Sequence, residues 1–230
     1  GGSFGLNAAN DNFTGCVIAG TGTVIANFVL GANGSINNSP LILLANNVAS
    51  LVVDAKNAGY DVPSGQTIAG VGSVRGKLNV STAVAQVHPG SYALPGPVTA
   101  PGVLTITNGL SMANGGAYLW DLKTLTDDDT GAAGTDFGKL DVTGGGVNLS
   151  GGVLTLGFVG TAAANDPDSG NVFWKEEHTW TILTGTTPPA GKLAVSNGTW
   201  NSGVFLTQVS GNNLELVYKR GMDTTVIVIR

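Results

Sequence analysis

This is an all-β sequence, on three observations. Its apolar residues alternate: in Pro101-Gly-Val-Leu-Thr-Ile-Thr107, Val103, Thr105 and Thr107 fall on one face and Leu104 and Ile106 on the other. That period of two belongs to a half-buried strand. The alternating units are four to eight residues long and closed by Gly or Asn, with two or three residues between them, which leaves no room for helical crossovers. The composition agrees, with 36 Gly, 24 Thr and 20 Asn among 230 residues against three Glu. Turn and strand formers dominate, and the helix-favouring acid is nearly missing.

Taken in order, residues 1–53 carry one charged side chain, Asp11. An ordinary soluble surface is about a quarter to a third charged. Such a segment satisfies its turns with stacked Asn or hides its surface against another subunit. Residues 54–100 continue in short strands broken by Gly, such as Ser64-Gly-Gln-Thr-Ile-Ala-Gly70. Pro89-Gly, Pro95-Gly-Pro97 and Pro101-Gly then crowd together and mark an irregular connection, so a subdomain boundary is expected near residue 95. A central unit of 96–170 follows, interrupted by a polar insert at 123–136 and a loop at 161–171. From 171 the strands lengthen and become bulkier. His178–Leu183, Val204–Val209, Asn213–Lys219 and Thr224–Ile229 read as antiparallel hairpin strands joined by turns such as Ser210-Gly-Asn-Asn. They would close the open end of a coiled β-structure.

Net charge is −5 with 10 Lys and Arg, so no basic stripe exists for nucleic acid or an anionic membrane. No run of 18 apolar residues could span a bilayer as a helix. Without an initiating Met or a signal-like segment, residue 1 reads as the start of a processed or excised chain. Cys16 is the single cysteine, expected as a small buried hydrophobe in a strand.

Four segments carry a family resemblance: Gly70-Val-Gly-Ser-Val-Arg-Gly76, Pro101-Gly-Val-Leu-Thr-Ile-Thr107, Phe137-Gly-Lys-Leu-Asp-Val-Thr-Gly144 and Gly151-Gly-Val-Leu-Thr-Leu156. With Thr179-Trp-Thr-Ile-Leu183 and Leu214-Glu-Leu-Val-Tyr218, they resemble the β-strand repeats of bacterial autotransporter passengers and related planctomycete-type secreted surface proteins. The resemblance covers roughly residues 65–230. It implies a right-handed parallel β-helix (β-solenoid), here with a C-terminal antiparallel cap, exported to the cell surface, and it brings no catalytic residues. Strand period by itself leaves two packed antiparallel β-sandwich domains open as the alternative.

Candidate chemistry is sparse. His88 and His178 lie far apart in sequence without partners at metal-ligand spacing, and surface or turn placement is expected for both. Gly72-Ser-Val-Arg-Gly76 does not make a nucleophile elbow, and no phosphate-binding glycine loop appears. A polysaccharide-degrading enzyme would need two carboxyls on a rigid surface. Asp127 and Asp129, with Asp136 and Asp141 nearby, are the residues that could supply them, although three consecutive Asp more often make a solvated turn. Calcium is the ion the oxygens suggest. Asp166, Asp168 and Glu177 sit at positions 1, 3 and 12 of a loop reminiscent of an EF-hand, and Asp127 and Asp129 offer a second set. Trp174 and Trp200, with Trp120 and Trp180, could stack on sugars, although core and cap placement suits four Trp better.

The leading expectation is a structural subunit of an extracellular bacterial fibre, sheath or layer, not an enzyme, formed by self-association into a homopolymer. The apolar end Thr224, Thr225, Val226, Ile227, Val228 and Ile229 would add to the sheet of the next subunit. A monomeric adhesin binding surface glycans is the alternative, and the glycan-degrading enzyme a third reading.

Overall fold

A computed structural model describes residues 2–10, 12–20, 25–92 and 98–221. It is all-β, and its sheets are mostly parallel. The chain deals its strands to three sheets in turn. The first sheet takes Gly2–Leu6, Ala26–Leu30, Ala49–Val52, Ser73–Arg75, Val103–Ile106, Lys139–Val142 and His178–Thr184, every neighbouring pair parallel. The second takes Val17–Ala19, Leu41–Leu44, Thr67–Gly70, Gln86–Tyr92, Ala117–Leu122, Val153–Phe158 and Ala194–Val195. The third takes Tyr60–Asp61, Leu78–Val80, Leu110–Met112 and Val147–Asn148.

Register turns the alternation of the sequence into columns. In the first sheet Phe4 pairs with Phe28, Phe28 with Leu51, Leu51 with Val74, Val74 with Ile106 and Ile106 with Val142. In the second, Val17, Ile42, Ile68, Val87, Tyr118, Leu154 and Val195 align in the same way. The third contributes Tyr60, Leu78, Leu110 and Val147. These inward columns form one apolar cluster running from Ala19 to Tyr218. The cluster includes residues from both sides of positions 95 and 170, and residues 93–97 lie outside the described set. Two antiparallel sandwich domains are not the arrangement found, because a sandwich would place sequence neighbours beside one another in hairpins.

Glycine sits where the chain turns from sheet to sheet. Gly70 ends the strand Thr67–Gly70 with φ +123, and a Cβ there would run into the Leu44 carbonyl of the strand beside it. Only glycine combines that dihedral with that approach. At the C-terminal end the pairing changes from parallel to antiparallel. Asn213–Arg220 runs antiparallel to His178–Thr184 and to Gly203–Ser210, which pairs antiparallel with Thr199–Trp200. The expected strands His178–Leu183, Val204–Val209 and Asn213–Lys219 match these within a residue or so, while Thr224–Ile229 lies outside the described residues.

Candidate functional site

The two ends of the strand stack differ. At the C-terminal end, Trp174, Trp180, Phe205 and Tyr218 are all buried and meet ring against ring. Centroid separations are 5.0 Å for Trp174–Tyr218 and for Phe205–Tyr218, and 6.1 Å for Trp180–Phe205. Bulky aromatics with satisfied polar edges can close the end of a core. Trp174 Nε1–H donates to the Asn165 carbonyl at 2.7 Å and Trp180 Nε1–H to the Thr126 carbonyl at 2.6 Å.

At the N-terminal end, among the described residues, Phe4 and Val17 are the first members of their columns. Phe4 stacks on Phe28 with centroids 6.1 Å apart and rings 8° from parallel. Yet Phe4 is 63% exposed, whereas Phe28, next in the same column, is 5% exposed. Among the described residues, Gly2–Leu6 and Val17–Ala19 are the N-terminal edges of their sheets. Between them runs a groove of about 410 Å³ lined by Phe4, Val17, Ile18, Ala26 and Phe28. Ile18 and Ile25 are also exposed, at 46% and 55%. Covering a Phe ring fully is worth about 1.5–3 kcal/mol, so this end carries an unspent hydrophobic driving force.

The polar insert works as a clip. Lys139–Val142 pairs only with the last part of His178–Thr184, through Leu140↔Leu183 and Asp141↔Thr184. Beside the first part lies the insert. Asp128 N–H donates to the Thr179 carbonyl at 3.0 Å, and the Asp128 carboxylate accepts Thr181 N–H at 2.8 and 2.9 Å and Thr181 Oγ1–H at 2.7 Å. One aspartate thus replaces the missing strand, satisfying backbone groups that would otherwise be unpaired.

Next to it, His178 is 7% exposed and lies flat on Phe173 with ring centroids 3.6 Å apart. Its Nε2–H donates to the Phe173 carbonyl at 2.6 Å, and Nδ1 lies 2.8 Å from Asp127 Oδ2. Asp127 also accepts Thr130 Oγ1–H at 3.0 Å and Asp129 N–H at 3.2 Å. Partial burial pushes the Asp127 carboxyl up. The hydrogen bonds from His178 and Thr130 outweigh this and hold it below the usual carboxylate range.

The second histidine is also internal. His88 is 8% exposed, with Nε2 2.7 Å from Oδ2 of Asp121, itself 6% exposed. Both histidines were expected at surfaces or turns, and both are buried. Each meets a carboxylate brought from a distant segment, and only the fold supplies that partner. Both ring nitrogens of His178 are held by protein acceptors, so neither is available as a base toward a substrate.

The other candidate residues are spread apart. Asp166 accepts Asp168 N–H at 3.2 Å and caps its own short turn. Asp168 is turned to Asn201, whose N–H and Nδ2–H it accepts at 2.9 Å each. Glu177 lies 3.9 Å from Lys219 Nζ. The EF-hand-like set therefore does not converge. Among the described residues no three His, Cys, Asp or Glu side chains group to hold a metal. Asp129 is exposed beside Asp127, while Asp136 accepts Thr124 Oγ1–H at 2.6 Å and Asp141 accepts Thr184 Oγ1–H. Of the four carboxylates considered for glycan cleavage, those of Asp127, Asp136 and Asp141 accept hydrogen bonds from protein partners. Trp174 is 2% exposed and cannot stack on a sugar, which corrects that expectation. Trp120 and Trp180 are likewise fully buried. Trp200 is half-buried, with its ring edge against Phe158 at 5.4 Å and its Nε1–H donated to the Asn197 carbonyl. Cys16, expected to be buried in a strand, is free and exposed in the irregular approach to Val17–Ala19. The apolar end Thr224–Ile229 lies outside the described residues.

Sequence reasoning missed Phe4. The signal was present, since an apolar strand followed by uncharged sequence stands first in the column series. Among the described residues no helix is long and apolar enough to cross a membrane. Compared with family models, with characterised proteins and with solved structures, the chain matches none.

Proposed function

We propose that this chain is a right-handed parallel β-helix, and that it serves as a structural subunit of an extracellular bacterial surface assembly built by self-association. The observation that carries the reading is the exposed apolar surface on edge strands among the described residues: Phe4 of Gly2–Leu6 is 63% exposed over a Phe28 that is 5% exposed, and Ile18 of Val17–Ala19 is 46% exposed. Apolar surface on a strand edge is the usual template for association.

Two further features support it. Residues 1–53 contain Asp11 as their one charged side chain, so identical copies can approach without like-charge repulsion. The motifs from Gly70 to Leu156 resemble exported passenger repeats, which supports the reading that it acts outside the cell. The reading assigns the chain no reaction and no bound cofactor.

Sedimentation over a wide concentration range, with negative-stain microscopy of the same samples, tests it. The expected result is a mass that rises with concentration and particles elongated along one axis. A single monomeric species at every concentration would overturn it.

A further inference from the structure

An Asn-Gly pair is open to spontaneous ring closure, because glycine has no side chain to obstruct attack of its nitrogen on the asparagine amide. The chain holds four such pairs: Asn33-Gly34, Asn108-Gly109, Asn114-Gly115 and Asn197-Gly198. All four asparagines are exposed, so access to water does not separate them. Hydrogen bonding does. Gly34 N–H donates to the Gly31 carbonyl and Gly115 N–H to the Gly151 carbonyl, both at 2.9 Å, so each nitrogen must give up a bond before it can attack. At Asn197 the amide itself is held. Its Oδ1 accepts Leu156 N–H and its Nδ2–H donates to the Leu156 carbonyl, both at 2.8 Å. Asn108-Gly109 differs from all three. Among the described residues, neither the Asn108 side chain nor the peptide group joining the two residues makes a hydrogen bond.

The fold explains why this peptide is open. It turns the chain from Val103–Ile106 in the first sheet to Leu110–Met112 in the third. The turn is anchored on either side of the pair: Thr107 N–H donates to the Val74 carbonyl at 3.0 Å, and the Gly109 carbonyl accepts Leu78 N–H at 3.1 Å. The following turn brings Gly145 alongside. A Cβ on Gly145 would lie 2.8 Å from the Asn108 carbonyl oxygen and 2.9 Å from the Gly109 nitrogen, so the glycine there leaves the attacking atom uncovered. Asn108 and Gly109 also line an open groove of about 690 Å³ in which Lys77 is the one charged lining residue.

We infer that Asn108 is a site of spontaneous deamidation, selected among the four pairs by the fold. The Gly109 nitrogen bonds to Asn108 Cγ, the Cγ–Nδ2 bond breaks, and Nδ2 leaves as ammonia with the proton from Gly109. Water then opens the cyclic imide at either carbonyl, giving aspartate or isoaspartate. Nothing is oxidised or reduced, and water is the co-reactant. Either product places a carboxylate in the groove that holds Lys77 and adds one negative charge to a chain whose net charge is −5.

Peptide mapping by mass spectrometry tests it, with the full chain kept at physiological temperature in mildly alkaline buffer, native or in concentrated urea. In the native protein Asn108 should convert about tenfold faster than Asn33, Asn114 or Asn197, the equivalent of one net hydrogen bond. In urea, where the other three pairs lose their partners, the four rates should draw together. If another pair leads in the native protein, if Asn108 stays intact there, or if Asn108 leads by the same factor in urea, the inference is wrong. Enzymatic methylation of isoaspartate gives a second readout. Label in the native protein should appear first in the peptide carrying residue 108, and first labelling elsewhere would overturn the assignment.

Discussion

His178 and Asp127 stand 51 residues apart in the chain and 2.8 Å apart in the fold, where they fasten the polar insert to the first strand of the C-terminal antiparallel unit. The imidazole is sandwiched against Phe173 and donates to that residue's carbonyl, so its orientation is fixed from two sides. What holds the insert is therefore partly ionic and responds to acid.

Asp127 is held below the ordinary carboxylate range, so its stabilising contribution is complete above the unfolded value, near about 4, and is lost as pH falls through the lower folded value. Asp127→Asn should cost about 1.5–3 kcal/mol at neutral pH, the range for a hydrogen bond to a charged group. Urea melts from pH 2 to 7 should show the difference from the parent shrinking as acid is added. A constant difference across that range would show that Asp127 acts by packing alone.

Asp128→Ala should free the insert without unfolding the stack, because it removes the acceptor for Thr181 N–H and Oγ1–H and no core contact. Cleavage within residues 123–136 by a nonspecific protease should quicken about tenfold, the equivalent of one net hydrogen bond in local opening. The midpoint of global thermal unfolding should move little.

Two buried indoles give an internal control. Trp120 and Trp180 are both 0% exposed, with ring centroids 5.6 Å apart. Trp180 donates to the Thr126 carbonyl at 2.6 Å, while Trp120 Nε1 has no hydrogen-bond partner among the described residues. Trp180→Phe should therefore be more costly than Trp120→Phe by about 1–3 kcal/mol, since it leaves the part-buried Thr126 carbonyl without its donor and Trp120→Phe removes an unpaired donor. Equal losses by denaturant melts would show that ring volume alone matters.

Glycines divide in the same way. A Cβ on Gly116 would be driven into the carbonyl of Val80, the last residue of the strand Leu78–Val80, whereas one on Gly146 meets nothing within 4 Å. Gly116→Ala should cost about 2–3 kcal/mol or more, while Gly146→Ala should stay within about 0.5 kcal/mol of the parent. Thermal melts of the two variants distinguish a backbone contact from a generic glycine effect.

Cys16 should react with a thiol reagent in the native protein at one equivalent, because it is exposed. A reaction that needs denaturant would place it inside the core.

Much of the fold could be read from residue order. The alternation in Val103–Ile106 put Leu104 and Ile106 inside, and both are fully buried. The long strands after residue 171 were legible as antiparallel from their turns, as the pairing of Gly203–Ser210 with Asn213–Arg220 bears out. The site was far less legible. Spacing could not say that His88 and His178 would each find an aspartate, 33 and 51 residues away, or that Trp174 would be sealed under Tyr218.

Sequence alone determined the alternation, the short strands and the near absence of charge before residue 54, because each depends on side-chain chemistry within a few neighbours. Tertiary structure decided which strands became partners. Phe28 meets Leu51 and Leu140 meets Leu183 because burial rewards whole columns at once, a choice made across long stretches of chain that local period cannot encode. It also decided that Phe4, identical in chemistry to Phe28, is exposed where Phe28 is buried.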